Sequence, residues 1–233
     1  MKYPIELLEH YWNFSEFKPQ QEAIIEAVLS NEDCIALLPT GGGKSICFQI
    51  PAMLRKGICI VISPLVALMH DQVNNLNSKG IKSMALTSGF SHSDLDRMLD
   101  NCIFGNYKFL YLSPERLQQD LVQQRIKQMN VNLIAVDEAH CISQWGHDFR
   151  PAYRDIKLLR KIHPTVNVIG LTASATSKVV DDISDQLDCI SPKIFKTSFK
   201  RSNLAYLNLE CHDKLKKTVQ VLKKYSGTSI IYV

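Results

Sequence analysis

The sequence predicts an α/β domain built on a parallel sheet, and three observations predict it. Short apolar runs recur at residues 34–38, 58–62, 83–86, 109–112, 133–136 and 166–171. They are apolar throughout instead of alternating, as expected of strands covered by helices on both faces. Segments with helical starts and stops separate the runs, and right-handed crossovers then bring the loops after several strands to one carboxyl-end edge. A ligand is expected along that edge.

Taken in order, residues 5–12 and 19–29 read as two helices joined by 13–18, ahead of the first strand. Ser45 opens a helix after a glycine turn. Pro64 follows the second run and starts a helix over 65–77, which Gly80 ends, and Pro114 begins another with Glu115 in its first turn. Residues 176–187 read as a helix, 189–202 as an extended connector containing Pro192, 203–210 as a strand, 213–225 as a helix and 229–233 as a last strand. Strands in that position cannot complete a sheet of their own. The expected organisation is a helical segment over 1–30, a main domain over 31–202 and the incomplete start of a second domain over 203–233.

A chain of 233 residues can bury a substantial core. Its 45% hydrophobic and 21% charged content is ordinary for a globular protein, and its apolar stretches reach about half a membrane span. Met1-Lys2-Tyr3-Pro4-Ile5-Glu6 carries no apolar signal region, so no signal peptide, no membrane partner and a cytoplasmic location are expected. Seven cysteines are scattered singly, without Cys-x-x-Cys or a histidine pair at ligand spacing, which suits reduced buried thiols and speaks against a disulfide framework or a zinc site. The formal charge of +4 is uneven. Lys193, Lys196, Lys200, Arg201, Lys214, Lys216, Lys217, Lys223 and Lys224 face only Glu210 and Asp213, leaving the rest slightly acidic. That region is either a phosphate-binding face or a solvated lysine-rich helix.

Two motifs carry chemistry. Thr40-Gly41-Gly42-Gly43-Lys44-Ser45 follows the first apolar run, and its glycine turn can wrap a phosphate with backbone N–H groups. Lys44 would neutralise the outer phosphates and Ser45 would hold Mg²⁺. Leu38 stands where the usual pattern has its first glycine, so the cradle would start from Pro39 and Thr40. Almost a hundred residues later another apolar run ends in Asp137-Glu138-Ala139-His140. A carboxylate at a buried strand end, Asp137, needs a cation such as Mg²⁺ beside phosphates, while Glu138 can polarise an attacking water. The pair favours nucleotide hydrolysis over transfer to a second substrate, with a nucleoside kinase as the alternative.

The sequence Asp137-Glu138-Ala139-His140-Cys141-Ile142-Ser143-Gln144-Trp145-Gly146-His147-Asp148-Phe149-Arg150-Pro151 resembles the Walker B motif, of DEAH type, and the aromatic-rich loop of RecQ-family superfamily 2 DNA helicases. Leu38 to Ser45 resembles their motif I, Phe17-Lys18-Pro19-Gln20-Gln21 motif 0, Val61-Ile62-Ser63-Pro64-Leu65 with Asp71-Gln72 motif Ia, Ser113-Pro114-Glu115-Arg116-Leu117 motif Ib, and Leu171-Thr172-Ala173-Ser174-Ala175 motif III. The match covers nearly the whole chain. It implies a RecA-like P-loop lobe over 31–202 and the truncated start of a second lobe over 203–233. It further implies ATP and Mg²⁺ as cofactors, and 3′ to 5′ translocation on single-stranded DNA with unwinding at junctions, in repair and recombination at a bacterial-type nucleoid.

By position the resemblance implies individual roles. Gln21 would read the adenine edge, with Phe14 or Tyr11 and Lys18 nearby, and Pro39, Thr40, Gly41, Gly42, Gly43, Lys44 and Ser45 would hold the phosphates and Mg²⁺. His140, Gln144, His147, Asp148 and Arg150 would link bound DNA to the hydrolytic site. Trp145 and Phe149 would stack on bases, a contact tolerant of any base sequence. Thr172 and Ser174 would relay between Walker B and DNA, Ser174 standing where the family commonly has threonine. Ser63, Pro64, Gln72 and Arg116 would face the nucleic-acid backbone. Seen alone, Gln21 could be an exposed helix-start residue, His140 structural and Trp145 a core filler. The whole chain could also be a nucleotide-dependent binding module without catalysis, or an RNA-remodelling ATPase. An arginine finger, worth about 10³ to 10⁵ in rate, would come from the second lobe, so residues 1–233 alone are expected to hydrolyse ATP poorly.

Overall fold

In the computed structural model, which describes residues 3–87, 89–146, 148–197 and 204–232, each of the six apolar runs forms a strand. These are β1 (Cys34–Leu37), β2 (Ile58–Ile62), β3 (Ser83–Leu86), β4 (Phe109–Leu112), β5 (Val131–Val136) and β6 (Val168–Thr172). Alternate residues along them enter two different cores: Ile35, Leu37, Ile60, Ile62 and Val136 pack into one, Ala36, Cys59, Val61, Ala135 and Leu171 into the other. With both faces buried no strand has a polar side, which is why the runs read as continuous.

A seventh strand, β7 (Lys193–Lys196), pairs with β1, and the parallel sheet has the order β3-β4-β2-β5-β6-β1-β7. The expected connector over 189–202 therefore contains a strand. Its four residues alternate Lys-Ile-Phe-Lys at the sheet edge, where lysines guard against pairing with other chains, and only the neighbouring β1 distinguishes such a segment from extended loop.

The helices are α1 (Pro4–Trp12), α2 (Gln21–Leu29), α3 (Ile46–Leu54), α4 (Val66–Ser78), α5 (His92–Phe104), α6 (Pro114–Leu117), α7 (Asp120–Gln128), α8 (Lys157–Ile162) and α9 (Ser177–Gln186). Ser91 and Thr176 cap α5 and α9 by accepting hydrogen bonds from Asp94 N and Val179 N. The helix expected from residue 19 begins instead at Gln21, because Gln20 adopts a left-handed conformation with φ of 71°. The helix opened by Pro114 is a single turn, after which α7 starts afresh.

The chain divides into two compact units, Met1–Phe199 and Lys200–Val233. In the second, α10 (Lys214–Lys224) is capped by Asp213, whose carboxylate accepts from Lys216 N at 2.9 Å, and none of its residues is buried. The strands expected at 203–210 and 229–233 are not formed over 204–210 or 229–232, since a strand exists only against a partner; Asn203 and Val233 lie outside the described residues.

Sheet order is what assembles the functional edge. The carboxyl ends of β5, β6 and β1 are consecutive, so the loops after Leu37, Val136 and Thr172 meet. Those after β2, β4 and β3 line the other half of the same edge.

Candidate nucleotide and nucleic-acid site

The glycine loop begins where β1 pairing ends. Leu38 N donates to Thr172 O at 3.0 Å, extending the ladder by one residue, and Gly42 N then donates to Pro39 O at 2.8 Å as the chain turns. Gly41 and Gly43 have φ of 78° and 76°, left-handed values that favour glycine, and a Cβ on Gly42 would lie 2.8 Å from the Pro39 carbonyl oxygen. Three glycines are thus required by backbone conformation or close approach. Lys44 and the N-cap residue Ser45 follow at the amino end of α3, an arrangement suited to a phosphate.

Motif 0 lies against this loop because α1 and α2 pack on α3 through Leu7, Leu8, Ile25, Ile46 and Ile50. Lys18 Nζ donates to Gly41 O at 2.7 Å, and Gln21 Nε2 donates to Gly43 O at 3.0 Å while its Oε1 accepts from Lys18 N at 2.8 Å. Gln21 is 3% exposed, so it is no exposed helix-start residue; its Nε2 holds the glycine loop to α2, while its Oε1 fixes the turn at Lys18. Beside it lies a cavity of about 400 Å³ bordered by Phe14, Phe17, Lys18, Gln21, Gly43 and Ile46, a size and lining that suit a nucleotide base. Tyr11 does not border it, packing instead with Trp12 against the α1–α3 core.

On the acidic side, Asp137 N donates to Ile62 O at 2.8 Å, continuing β5 along β2. Burial, and next the charge of Glu138, push the Asp137 carboxyl up to about 6, opposed by the Glu138 N–H that it accepts at 3.0 Å and by Lys44 and His140. Glu138 itself is left-handed, with φ of 47° and ψ of 46°, a conformation that costs a non-glycine residue about 1–2 kcal/mol. Its carboxylate lies with Oε1 3.9 Å from Lys44 Nζ and Oε2 3.3 Å from His140 Nδ1. Lys44, Asp137 and Glu138, remote in sequence, therefore converge.

The donor set fits magnesium bound with phosphates. Among the described residues no group of three His, Cys, Asp or Glu side chains could hold a metal ion. Asp137 and the Ser45 hydroxyl would leave most ligand positions to phosphate oxygens and water, the habit of Mg²⁺ rather than of a metal held by protein alone.

Thr172, fully buried at the end of β6, sits between the two halves of the site. His140 Nδ1 lies 2.8 Å from Thr172 Oγ1, and His140 Nε2 lies 3.8 Å from Asp148 Oδ2. Ser174 meets Thr172 through its backbone, its N–H donating to Thr172 Oγ1 at 3.2 Å. Arg150 closes the intervening loop, donating from its guanidinium to Pro64 O at 3.0 Å and from its backbone to Cys141 O at 2.8 Å. Gln144 and Trp145 are exposed, Trp145 by 64%, which removes the core-filler alternative. Phe149 is half-buried, and His147 lies outside the described residues.

Two residues expected along the nucleic-acid backbone turn inward. Ser63 is buried, and Gln72 Oε1 accepts from Gln49 Nε2 at 3.0 Å, Gln49 in turn reaching Tyr111 OH at 3.3 Å. A position on α4 facing α3 draws the Gln72 amide into this polar network. Arg116 donates to the Thr87 carbonyl and to Gln119 Oε1. Tyr153, unmarked in the sequence, is buried and donates from its hydroxyl to the Asp137 carbonyl at 3.0 Å, steadying the acidic turn. Neither it nor the left-handed Glu138 leaves a sequence signal, because both depend on what packs around the turn.

A model of the DEAD/DEAH box helicase family matches residues 18–183. The Bacillus subtilis protein named ATP-dependent DNA helicase RecQ is 43% identical over 202 residues, covering 86% of this chain and 34% of that protein. A mimivirus protein named putative ATP-dependent RNA helicase R290 is 39% identical, covering 97% of this chain and 41% of that one. The chain spans less than half the length of these curated relatives. The crystal structure of the DUF1998 helicase MrfA bound to DNA aligns with a TM-score of 0.66 over 83% of this chain and 29% of that one, at 16% identity, a likeness of fold. The parallel sheet flanked by helices is thus the RecA-like helicase fold expected from the sequence.

Proposed function

The chain belongs to the DEAD/DEAH box helicase family, and from that premise we propose that it is the ATP-binding motor lobe of a RecQ-type DNA helicase. The convergence of Lys44 on Glu138 at 3.9 Å, beside buried Asp137, is the observation that carries the reading. In it, the amides of the glycine loop and Lys44 hold the triphosphate, and the cavity beside Phe14 and Gln21 takes the adenine. Bound Mg²⁺, held by Ser45 and Asp137, supplies charge neutralisation at the phosphates. Glu138 orients the attacking water and accepts its proton, its carboxylate kept in place between Lys44 and His140.

His140, Thr172 and Asp148 connect that carboxylate to the loop bearing Trp145 and Phe149, whose rings stack on bases of single-stranded DNA, including the single strand at a junction. The motor moves 3′ to 5′, and as a bacterial-type enzyme it works at the nucleoid in the cytoplasm. Residues 203–233 open a second lobe that supplies the arginine finger, so residues 1–233 alone hydrolyse ATP slowly.

Two variants of the complete protein test the reading. Lys44→Ala weakens nucleotide binding, whereas Glu138→Gln keeps Mg-ATP binding and loses turnover. ATPase activity equal to wild type in either variant removes the assigned role. The 39% identity to a protein named as an RNA helicase favours RNA as the second reading of the strand. Stimulation of ATPase by RNA in preference to DNA, in direct competition, would select it.

A further inference from the structure

Trp145 does not offer two open faces. The Lys178 ammonium stands 3.1 Å from its ring centroid, the geometry of a cation–π contact. Lys178 is the second residue of α9, exposed, and follows motif III directly, so the contact ties the loop after His140 to the segment after Thr172. Phe149 is covered in a similar way by Arg154, whose guanidinium carbon is 5.1 Å from the ring centre. The two cations differ in freedom. Arg154 is half-buried with its Nε enclosed, whereas Lys178 is a flexible stem at the surface.

A base that stacks on the covered face of Trp145 must displace the ammonium. Anchored in the first turn of α9, the displaced Lys178 stays within a side-chain length of the stacked nucleotide, whose nearest strong acceptor is its own backbone phosphate. Stacking replaces the cation on the ring, and the phosphate replaces the ring as the cation's partner, so neither group loses an interaction. We propose that Lys178 exchanges partners in this way, covering Trp145 while the loop is empty and moving to a single-strand phosphate when a base takes the ring. The inference rests on the reading of Trp145 as a base-stacking residue.

The test is the salt dependence of binding a fluorescein-labelled oligothymidylate to the complete protein, followed by anisotropy for wild type, Lys178→Met, Lys178→Arg and Trp145→Ala. One lost single-strand phosphate contact flattens the plot of log affinity against log salt by about 0.7, so between about 50 and 200 mM salt Lys178→Met loses about 2.5-fold less affinity than wild type. Lys178→Arg retains the wild-type slope. Trp145→Ala binds more weakly with the slope preserved, since the cation still reaches the phosphate. A Lys178→Met slope equal to wild type overturns the exchange and leaves the lysine as a prop for the ring. Wild-type protein with no affinity for the oligonucleotide overturns the nucleic-acid reading itself, and this inference with it.

Discussion

Replacing Gly43 by alanine probes the contact between Gln21 and the glycine loop, and its cost can be worked from two separate terms. The φ of 76° places an L-residue in the left-handed region, at roughly 1–2 kcal/mol. The new Cβ would also lie 2.3 Å from Gln21 Nε2, closer than any tolerated contact, so the amide has to leave. Its departure breaks the bond to Gly43 O and the one it accepts from Lys18 N, each worth about 1 kcal/mol. The substitution should therefore destabilise the nucleotide-free protein by about 3–4 kcal/mol.

In a Gln21→Ala background the clash and both hydrogen bonds are already gone, leaving only the strain of about 1–2 kcal/mol. The difference, about 2 kcal/mol, is the coupling energy of a double-mutant cycle. Urea unfolding midpoints of wild type, Gly43→Ala, Gln21→Ala and the double variant measure it. An equal cost of Gly43→Ala in both backgrounds would refute the claim that Gln21 holds the loop, whatever its size.

The acidic turn makes a prediction of opposite sign. The folded Asp137 carboxyl titrates at about 6, above the value of about 3.9 expected unfolded, so folding favours its neutral form and the charge becomes destabilising as pH rises through 6. Asp137→Asn should stabilise the nucleotide-free protein at pH 8 by up to about 3 kcal/mol, with the gain vanishing by about pH 4; a variant no more stable than wild type at pH 8 contradicts it. Thiol labelling should find Cys211 fast, because it is exposed, while burial pushes Cys34, Cys47 and Cys102 up to about 12 and Cys141 to about 11. Cys211→Ser should remove the fast phase, and rapid labelling of any of those four in the folded protein would contradict their burial. In the complete protein Trp145→Ala should lower affinity for single-stranded DNA by about 5-fold or more, the loss of one stacked base; unaltered affinity removes the stacking role.

Several features were legible in the residues because their causes are local. Apolar runs marked six of the seven strands among the described residues, since burial on both faces leaves its trace in composition. The glycine turn with Lys44 and Ser45 was legible because left-handed backbone and close approach tolerate few other residues. Where the cause was a neighbour from elsewhere in the chain, the reading was incomplete. Lys193–Lys196 becomes a strand only beside β1, and residues 204–210, with no strand partner among the described residues, remain irregular. Gln72 was expected at the nucleic-acid face, yet Gln49 draws its amide toward α3.

The residue types needed for the chemistry, and the strand ends that carry them, were determined by the sequence alone: a glycine loop with lysine and serine, two adjacent carboxylates, a histidine followed by a loop with two aromatics. Which of these groups meet was decided by the tertiary structure. The order β5-β6-β1 brings Glu138 to Lys44 with Thr172 between, and the packing of α2 on α3 sets Gln21 against Gly43. Conformational preference acts over a few residues, whereas distance between remote side chains is set by strand order and by packing.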